Sequence, residues 1–193
     1  MALQLIFIFL TQWASAQQHA PGSVAILNTS EGEVRIHLRK DLAPLTVQNF
    51  VDLATGAKEY RNPDSGKTIA NKPFYNNTIF HRVHPDLGIH GGCPWGTGHG
   101  WPGYYLQFED QKTKNVKFDR PYLVALATLR DRPNTGGSQF FITTKPLPEY
   151  NDKYVIFGEV FLGKEVVNAI SKVKKDSMMR PTKTVKLNSI KIE

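Results

Sequence analysis

Cysteine is almost absent: Cys93 is the only one among 193 residues. That excludes an intramolecular disulfide framework and any multi-cysteine zinc knuckle. Long apolar runs are also missing. The longest stretch, Ala2 to Leu10, is interrupted by Gln4 and falls well short of the ~20 apolar residues that cross a bilayer. There is no Gly-x-Ser-x-Gly elbow, because Ser138 sits in Thr135-Gly136-Gly137-Ser138-Gln139, so a Ser138–His81 nucleophile–base pair lacks its usual frame. No internal repeat, linker or second core marks a further domain. What remains is a chain of one-domain length, with 40% apolar and 21% charged residues, enough to bury a core without staples.

The N-terminal apolar stretch is followed by Ala14-Ser15-Ala16. Together they have the form of the short apolar core and small-x-small cleavage site of a secretory leader. No Lys or Arg precedes the run, and a buried core strand is the alternative. The reading predicts a leader over 1–16, a mobile new N-terminus over 17–22 and one domain over 23–193. The mature protein is then exported, periplasmic or secreted, without membrane attachment. The formal charge is +7, and +5 of it falls between Phe161 and Glu193. Single-stranded nucleic-acid grooves interleave cations with aromatic platforms. Phe161 is the only aromatic residue in that segment, so the charge reads as a solvated face and no nucleic-acid partner is expected.

Hydrophobic patterning gives a mainly β chain. Val34, Ile36 and Leu38 alternate with Glu33, Arg35 and His37, the period of a half-buried strand; a turn at Ser30-Glu31-Gly32 joins it to the run 23–29. Pro44 suits a first helical position, Val47, Phe50, Val51 and Ala54 follow at helical spacing, and Gly56 can end the helix. Residues 57–73 read as a long polar loop around the turn Asn62-Pro63-Asp64-Ser65-Gly66. Short apolar runs recur at 78–83, 123–127, 139–143 and 155–160. A second helix is predicted over 164–173, and an alternating strand over 184–192 with one slip in register. Many short strands with an early and a late helix predict an antiparallel barrel or sandwich with helices at its ends.

Several motifs compete for the chemistry. Gly98-His99-Gly100-Trp101-Pro102-Gly103 matches G-x-G-x-x-G, but the dinucleotide fingerprint needs a long helix after it, and residues 104–110 lack helical periodicity. His81, His84, His90, Cys93 and His99 cluster without a standard metal spacing; His81 and His84 on one strand would face opposite ways, and no metal is expected. A larger candidate joins Phe80-His81-Arg82-Val83 to Asn134 through Ile142 and to Tyr154-Val155-Ile156-Phe157-Gly158. An Arg, a Gln and a Phe on separate strands can converge as a shallow apolar pocket with a few donors. They can equally be a surface ion pair and a core ring.

These segments, with Ala43-Pro44-Leu45-Thr46-Val47-Gln48-Asn49-Phe50, Phe74 to Val83 and Gly91-Gly92, resemble those of cyclophilin-type peptidyl-prolyl cis-trans isomerases. They occur in the family's order and frame nearly all of 23–193. The 57–73 loop and the Gly96–Tyr104 run resemble secreted bacterial members. The resemblance implies a closed eight-stranded antiparallel barrel capped by two helices, no cofactor, a monomer, and proline-containing polypeptides as partners.

By the same match Arg82 and Gln139 are catalytic, Arg82 as the essential donor and Gln139 as the residue that orients it and the substrate carbonyl. Phe141 is the floor of the proline pocket, Ala127 lies along the groove, and Asn134 presents backbone to the peptide. Leu87, His90, Tyr150 and Tyr154 complete the binding set. Departures fall close to the chemistry. Leu87 stands at a pocket Phe. Gly88 stands at a pocket Met, which removes an apolar wall. His90 replaces the Gln that steadies the Arg, and could repel Arg82 when protonated below about pH 6.5. Glu149 stands where many members have Trp and Tyr150 where they have Leu, which implies weak cyclosporin binding. Gly88 and His90 keep a second reading open, a proline-peptide-binding module with little turnover.

Overall fold

The computed structural model describes residues 22–193 except 63, 112, 113, 130 and 131. The predicted leader and all of the predicted new N-terminus but Gly22 lie outside the described residues. Strands β1 (Val24–Thr29) and β2 (Gly32–Leu38) form an antiparallel hairpin. The alternation in β2 is realised: Val34, Ile36 and Leu38 are buried, and Glu33, Arg35 and His37 face outward.

Helix α1 (Pro44–Thr55) begins at the expected proline and stops at Gly56, whose φ of 82° is left-handed and costs glycine no Cβ clash. Ala43 has no capping side chain. Glu109, from a distant segment, accepts the Leu45 and Thr46 N–H groups at 2.8 and 2.7 Å. A carboxylate there satisfies two orphan donors and complements the helix dipole. Val47, Phe50, Leu53 and Ala54 form the buried face, packed on the sheet.

The remaining strands are β3 (Tyr60–Arg61), β4 (Thr68–Ile69), β5 (Thr78–Ile79), β6 (Arg82–His84), β7 (Gly88–Gly91), β8 (Leu123–Leu126), β9 (Phe140–Thr143), β10 (Val155–Leu162) and β11 (Lys186–Ile192), with helix α2 (Lys164–Ser171) between the last two. The slip predicted in the final strand is a bulge: Ser189 faces Asn28 and Leu187 faces Thr29, so Asn188 is passed over. β7, in a segment with no expected strand, and the β3–β4 hairpin inside the predicted loop 57–73 are additions to the sequence reading. Two-residue strands carry too little pattern to detect. Asn62 Oδ1 turns this hairpin by accepting the Asp64 and Ser65 N–H groups at 3.0 and 2.9 Å.

One ladder runs β5-β11-β1-β2-β10-β8-β9-β7-β6, nine strands in a curled antiparallel sheet with two helices. The count exceeds the expected eight because segment 78–84 is divided. Phe80 and His81 leave the ladder there, their N–H groups bonding Val185 O and His90 O at 3.0 Å each. The sheet separates two apolar clusters. Val83, Ile89, Val124, Ile142 and Phe157 join the main core, whereas Ala125, Phe141 and Ile156 join a smaller one with Phe118, Leu123 and Leu147. Alternation along each strand assigns neighbours to opposite faces, and it is the smaller cluster that carries the pocket.

Candidate active site

Ladder register builds the site. Arg82 on β6 is directly opposite His90 on β7, and His90 is opposite Phe141 on β9, which is opposite Ala125 on β8. Directly paired residues share a face, so four strands present one lateral row. Just before β9, Gln139 O accepts the Ala127 N–H at 2.9 Å, which sets a second, shorter row beside the first. Above these rows lies an open pocket of ≈ 350 Å³ lined by Arg82, His90, Ala127, Gln139, Phe141, Tyr150 and Tyr154, with His81, Met178 and Arg180 also on its wall.

Phe141 is 1% exposed. Its ring stacks on Phe118 at 6.1 Å and on His90 at 5.2 Å, and meets Tyr150 and Tyr154 edge-on at 5.8 and 5.1 Å. A ring gripped on several sides is a rigid apolar floor. Tyr150 is held by the short helical turn Pro148–Tyr150, and Glu149 beside it is exposed.

Arg82 makes one side-chain hydrogen bond among the described residues, a weak 3.6 Å contact to Met179 Sδ. Its guanidinium therefore retains most of its N–H donors for a ligand. The alternative of an Arg tied to a surface carboxylate does not hold. His90 is half-buried at the pocket wall. Burial first, then the positive fields of Arg82 and of His81, push its pKa down to about 3. The expected protonation near pH 6.5 therefore gives way to a neutral imidazole over the physiological range. His81 is 7% exposed with no partner for Nδ1, and burial, Arg180, Arg82 and His99 hold its pKa at about 4.

Gln139 uses its amide elsewhere than expected. Nε2 donates to Gly98 O and Gly100 O at 3.0 and 2.7 Å. It braces the Gly-rich loop against the pocket and makes no hydrogen bond to Arg82. Cys93 lies beneath that loop, fully buried, its Sγ accepting the Gly98 and Gly100 N–H groups at 3.2 and 3.3 Å. Residues 104–110 form no helix, so the Gly98–Gly103 match lacks the helix that the dinucleotide fingerprint requires. Ser138 is 2% exposed and donates to Gly92 O at 2.8 Å, a structural position.

Two predicted binding residues stand apart from the pocket wall. Leu87 packs against the smaller cluster that supports Phe141. Asn134, with φ of 62°, accepts the Phe108 N–H on Oδ1 at 2.7 Å and lies beyond the pocket. Gly88 needs a different account from a deleted wall. Its φ is +144°, and a Cβ placed there would lie 2.1 Å from Ile142 O. No side chain has room at that position. Met178 and Arg180 were missed. They lie in a basic segment far along the chain, and no local pattern connects them to Arg82.

Comparison with known proteins agrees with this geometry. The family model for cyclophilin type peptidyl-prolyl cis-trans isomerase matches residues 24–192. The chain is 44% identical over 172 residues to peptidyl-prolyl cis-trans isomerase A of Mycobacterium tuberculosis, covering 88% of this chain and 92% of that one. It is 41% identical to peptidyl-prolyl cis-trans isomerase B of Streptomyces anulatus, over 88% and 95% of the two chains. A crystal structure of a Cryptosporidium parvum cyclophilin type isomerase, determined in the presence of the dipeptide Ala-Pro, superposes with a TM-score of 0.72 at 33% identity, covering 88% of this chain and 98% of that one. With its fold, its strand order and the Arg82–His90–Phe141 row in place, this chain belongs to the cyclophilin-type peptidyl-prolyl cis-trans isomerases.

Proposed function

We propose that this protein accelerates rotation about X–Pro bonds in exposed polypeptide segments, with Arg82 as the donor that favours the twisted amide. An X–Pro amide is planar by resonance, and rotation costs about 18–20 kcal/mol. At the perpendicular state the proline nitrogen regains a lone pair and the carbonyl loses charge. No nucleophile, metal or cofactor is required by that reaction. It needs an apolar seat for the pyrrolidine, a donor placed for the twisted nitrogen, and exclusion of competing water. A site that binds the twisted state more tightly than either planar state lowers the barrier.

The residues supply these elements. The pyrrolidine rests on Phe141 between Tyr150 and Tyr154. Arg82 keeps free N–H groups beside it. Each charge-assisted bond made only in the twisted state is worth about 1.5–3 kcal/mol. His90 fixes the spacing between donor and floor, since it lies opposite both in the ladder. Gln139 holds the loop that bounds the groove. The observation that carries the reading is the Arg82–His90–Phe141 row beneath an open pocket. Its test is the cis–trans exchange rate of an Ala-Pro peptide with wild-type protein and with Arg82→Ala. Cyclosporin binding is weak in this reading, because Glu149 offers a charge where an indole would grip the ligand.

Clients are proline-containing polypeptides outside the cytoplasm. The supporting feature is the leader-like 1–16 segment. Mass spectrometry of the mature protein tests it: a new terminus near Gln17 supports export, and an intact Met1 in the mature protein contradicts it.

A further inference from the structure

The segment 174–182 turns back on itself before β11. Asp176 N–H donates to Arg180 O at 2.9 Å, and Met179 N–H to Asp176 O at 3.0 Å. Asp176 Oδ1 accepts the Met178 and Arg180 N–H groups, both at 2.9 Å, which engages that carboxylate with backbone. Met179 takes a φ of 65° and its carbonyl accepts the Val83 N–H at 2.9 Å. The turn is thus tied to β6 one residue beyond Arg82. Met178 and Arg180 flank the tied residue, and both line the pocket that Arg82 lines.

The charge balance of that pocket is one-sided. Two guanidiniums, Arg82 and Arg180, reach its wall, and no Asp or Glu does among the described residues. Every ion pair among the described residues lies elsewhere, and neither guanidinium has a carboxylate partner. The buried His81 imidazole feels both cations. Fixed like charges on the walls of a cleft focus a field on whatever enters, and a guanidinium recognises a carboxylate through a fork of donors. Arg82 is committed to the X–Pro amide. Arg180 is not. A second cavity shares Gly98, His99, Ala127, Thr128 and Gln139 with the pocket, and Arg180 lines only the first.

We propose that Arg180 is a specificity-determining residue that selects X–Pro bonds flanked by an acidic side chain, with Met178 as the apolar cover beside it. This deepens the isomerase reading and rests on it. Arg180 meets the flanking carboxylate while Arg82 meets the twisted amide, so each cation has one task. The +5 of charge at the end of the chain, otherwise a solvated surface, then contributes one residue to substrate choice.

The test compares matched peptides carrying Glu or Gln immediately before or immediately after the proline, with kcat/KM read by exchange NMR. In one of the two positions the wild type should favour Glu over Gln by about three- to fivefold, the scale of a solvent-exposed ion pair. Arg180→Gln should bring that ratio to near one, and Arg180→Lys should keep most of it. The preference should also shrink in ~0.5–1 M salt, which an apolar preference would not. A ratio near one in the wild type, or a ratio retained in Arg180→Gln, overturns the proposal. Chemical-shift titration with the same peptides reads the preference without turnover. Glu-selective binding without catalysis therefore overturns the isomerase reading and leaves the selectivity standing, whereas catalysis without Glu selectivity does the reverse.

Discussion

His90 stands directly opposite Arg82 across the β6–β7 ladder and lies nearly parallel to the Phe141 ring, 5.2 Å from it. One residue thus touches the electrostatics of the donor and the packing of the floor. A protonated imidazole there would face Arg82 at close range in a water-poor setting, and the neutral form is the one that burial selects.

Activity is accordingly expected to show no loss on acidification from pH 8 through 6.5 to 5, because His90 and His81 titrate at about 3 and about 4 in the folded protein. Stability behaves differently. In the unfolded chain both imidazoles titrate near 6.5. Below that pH the unfolded state binds protons that the native state does not, so stability falls as pH drops from about 6.5 toward 4. His90→Gln should flatten part of that slope in urea titrations. A kcat/KM that falls through pH 6.5 in the wild type and not in His90→Gln would show that His90 is protonated in the native state.

Gly88→Ala is expected to destabilise the fold by at least about 2 kcal/mol, through a left-handed φ and a backbone clash together. The Cβ would sit 2.1 Å from Ile142 O, in the β7–β9 ladder that sets His90 against Phe141. Denaturant unfolding measures the loss. An effect under 0.5 kcal/mol would mean that the strands can part without cost.

Gln139→Leu should loosen the Gly-rich loop rather than the donor. The change removes two hydrogen bonds, to Gly98 O and Gly100 O, each worth about 1 kcal/mol. The expected results are faster amide exchange at Gly98 and Gly100 and a raised KM, with kcat changed less. A loss confined to kcat, with loop exchange unaltered, would instead assign Gln139 to the transition state.

Cys93 should be inert toward thiol reagents in the native protein, since it is fully buried under the same loop. Reaction with an aromatic disulfide reagent is expected only after unfolding. Rapid stoichiometric labelling of the native protein would show that the loop opens readily.

Local pattern made most of the fold readable. Alternation marked β2, Pro44 and Gly56 bounded α1, and the spacing of Leu187 and Ile190 gave the slip that the structure resolves as a bulge. β7 was hidden, because Gly88, His90 and Gly91 carry no strand propensity and only pairing on both sides makes the segment a strand. The site was legible as residue types and not as partners. Arg82, Phe141 and Gln139 stood out in their motifs, but the opposition of Arg82 and His90 is a register, and Gln139's hold on Gly98 and Gly100 spans about forty residues of chain. In sequence, Arg180 is one more cation of a basic C-terminal segment. Its place in the pocket depends on the tie between Met179 O and Val83 N–H, across nearly a hundred residues, for which no local signal exists.

The most direct test of the account is the rate of cis–trans exchange in an Ala-Pro peptide with wild-type protein and with Arg82→Ala. The substituted side chain is partly exposed and makes only the weak contact to Met179, so folding should be preserved, which a matched thermal midpoint would verify. Clear catalysis by the wild type is expected, with at least a tenfold fall in the variant, equivalent to the loss of about 1.4 kcal/mol of selective binding of the twisted amide. Equal exchange rates for the two folded proteins, whether catalysed or at background, would contradict it.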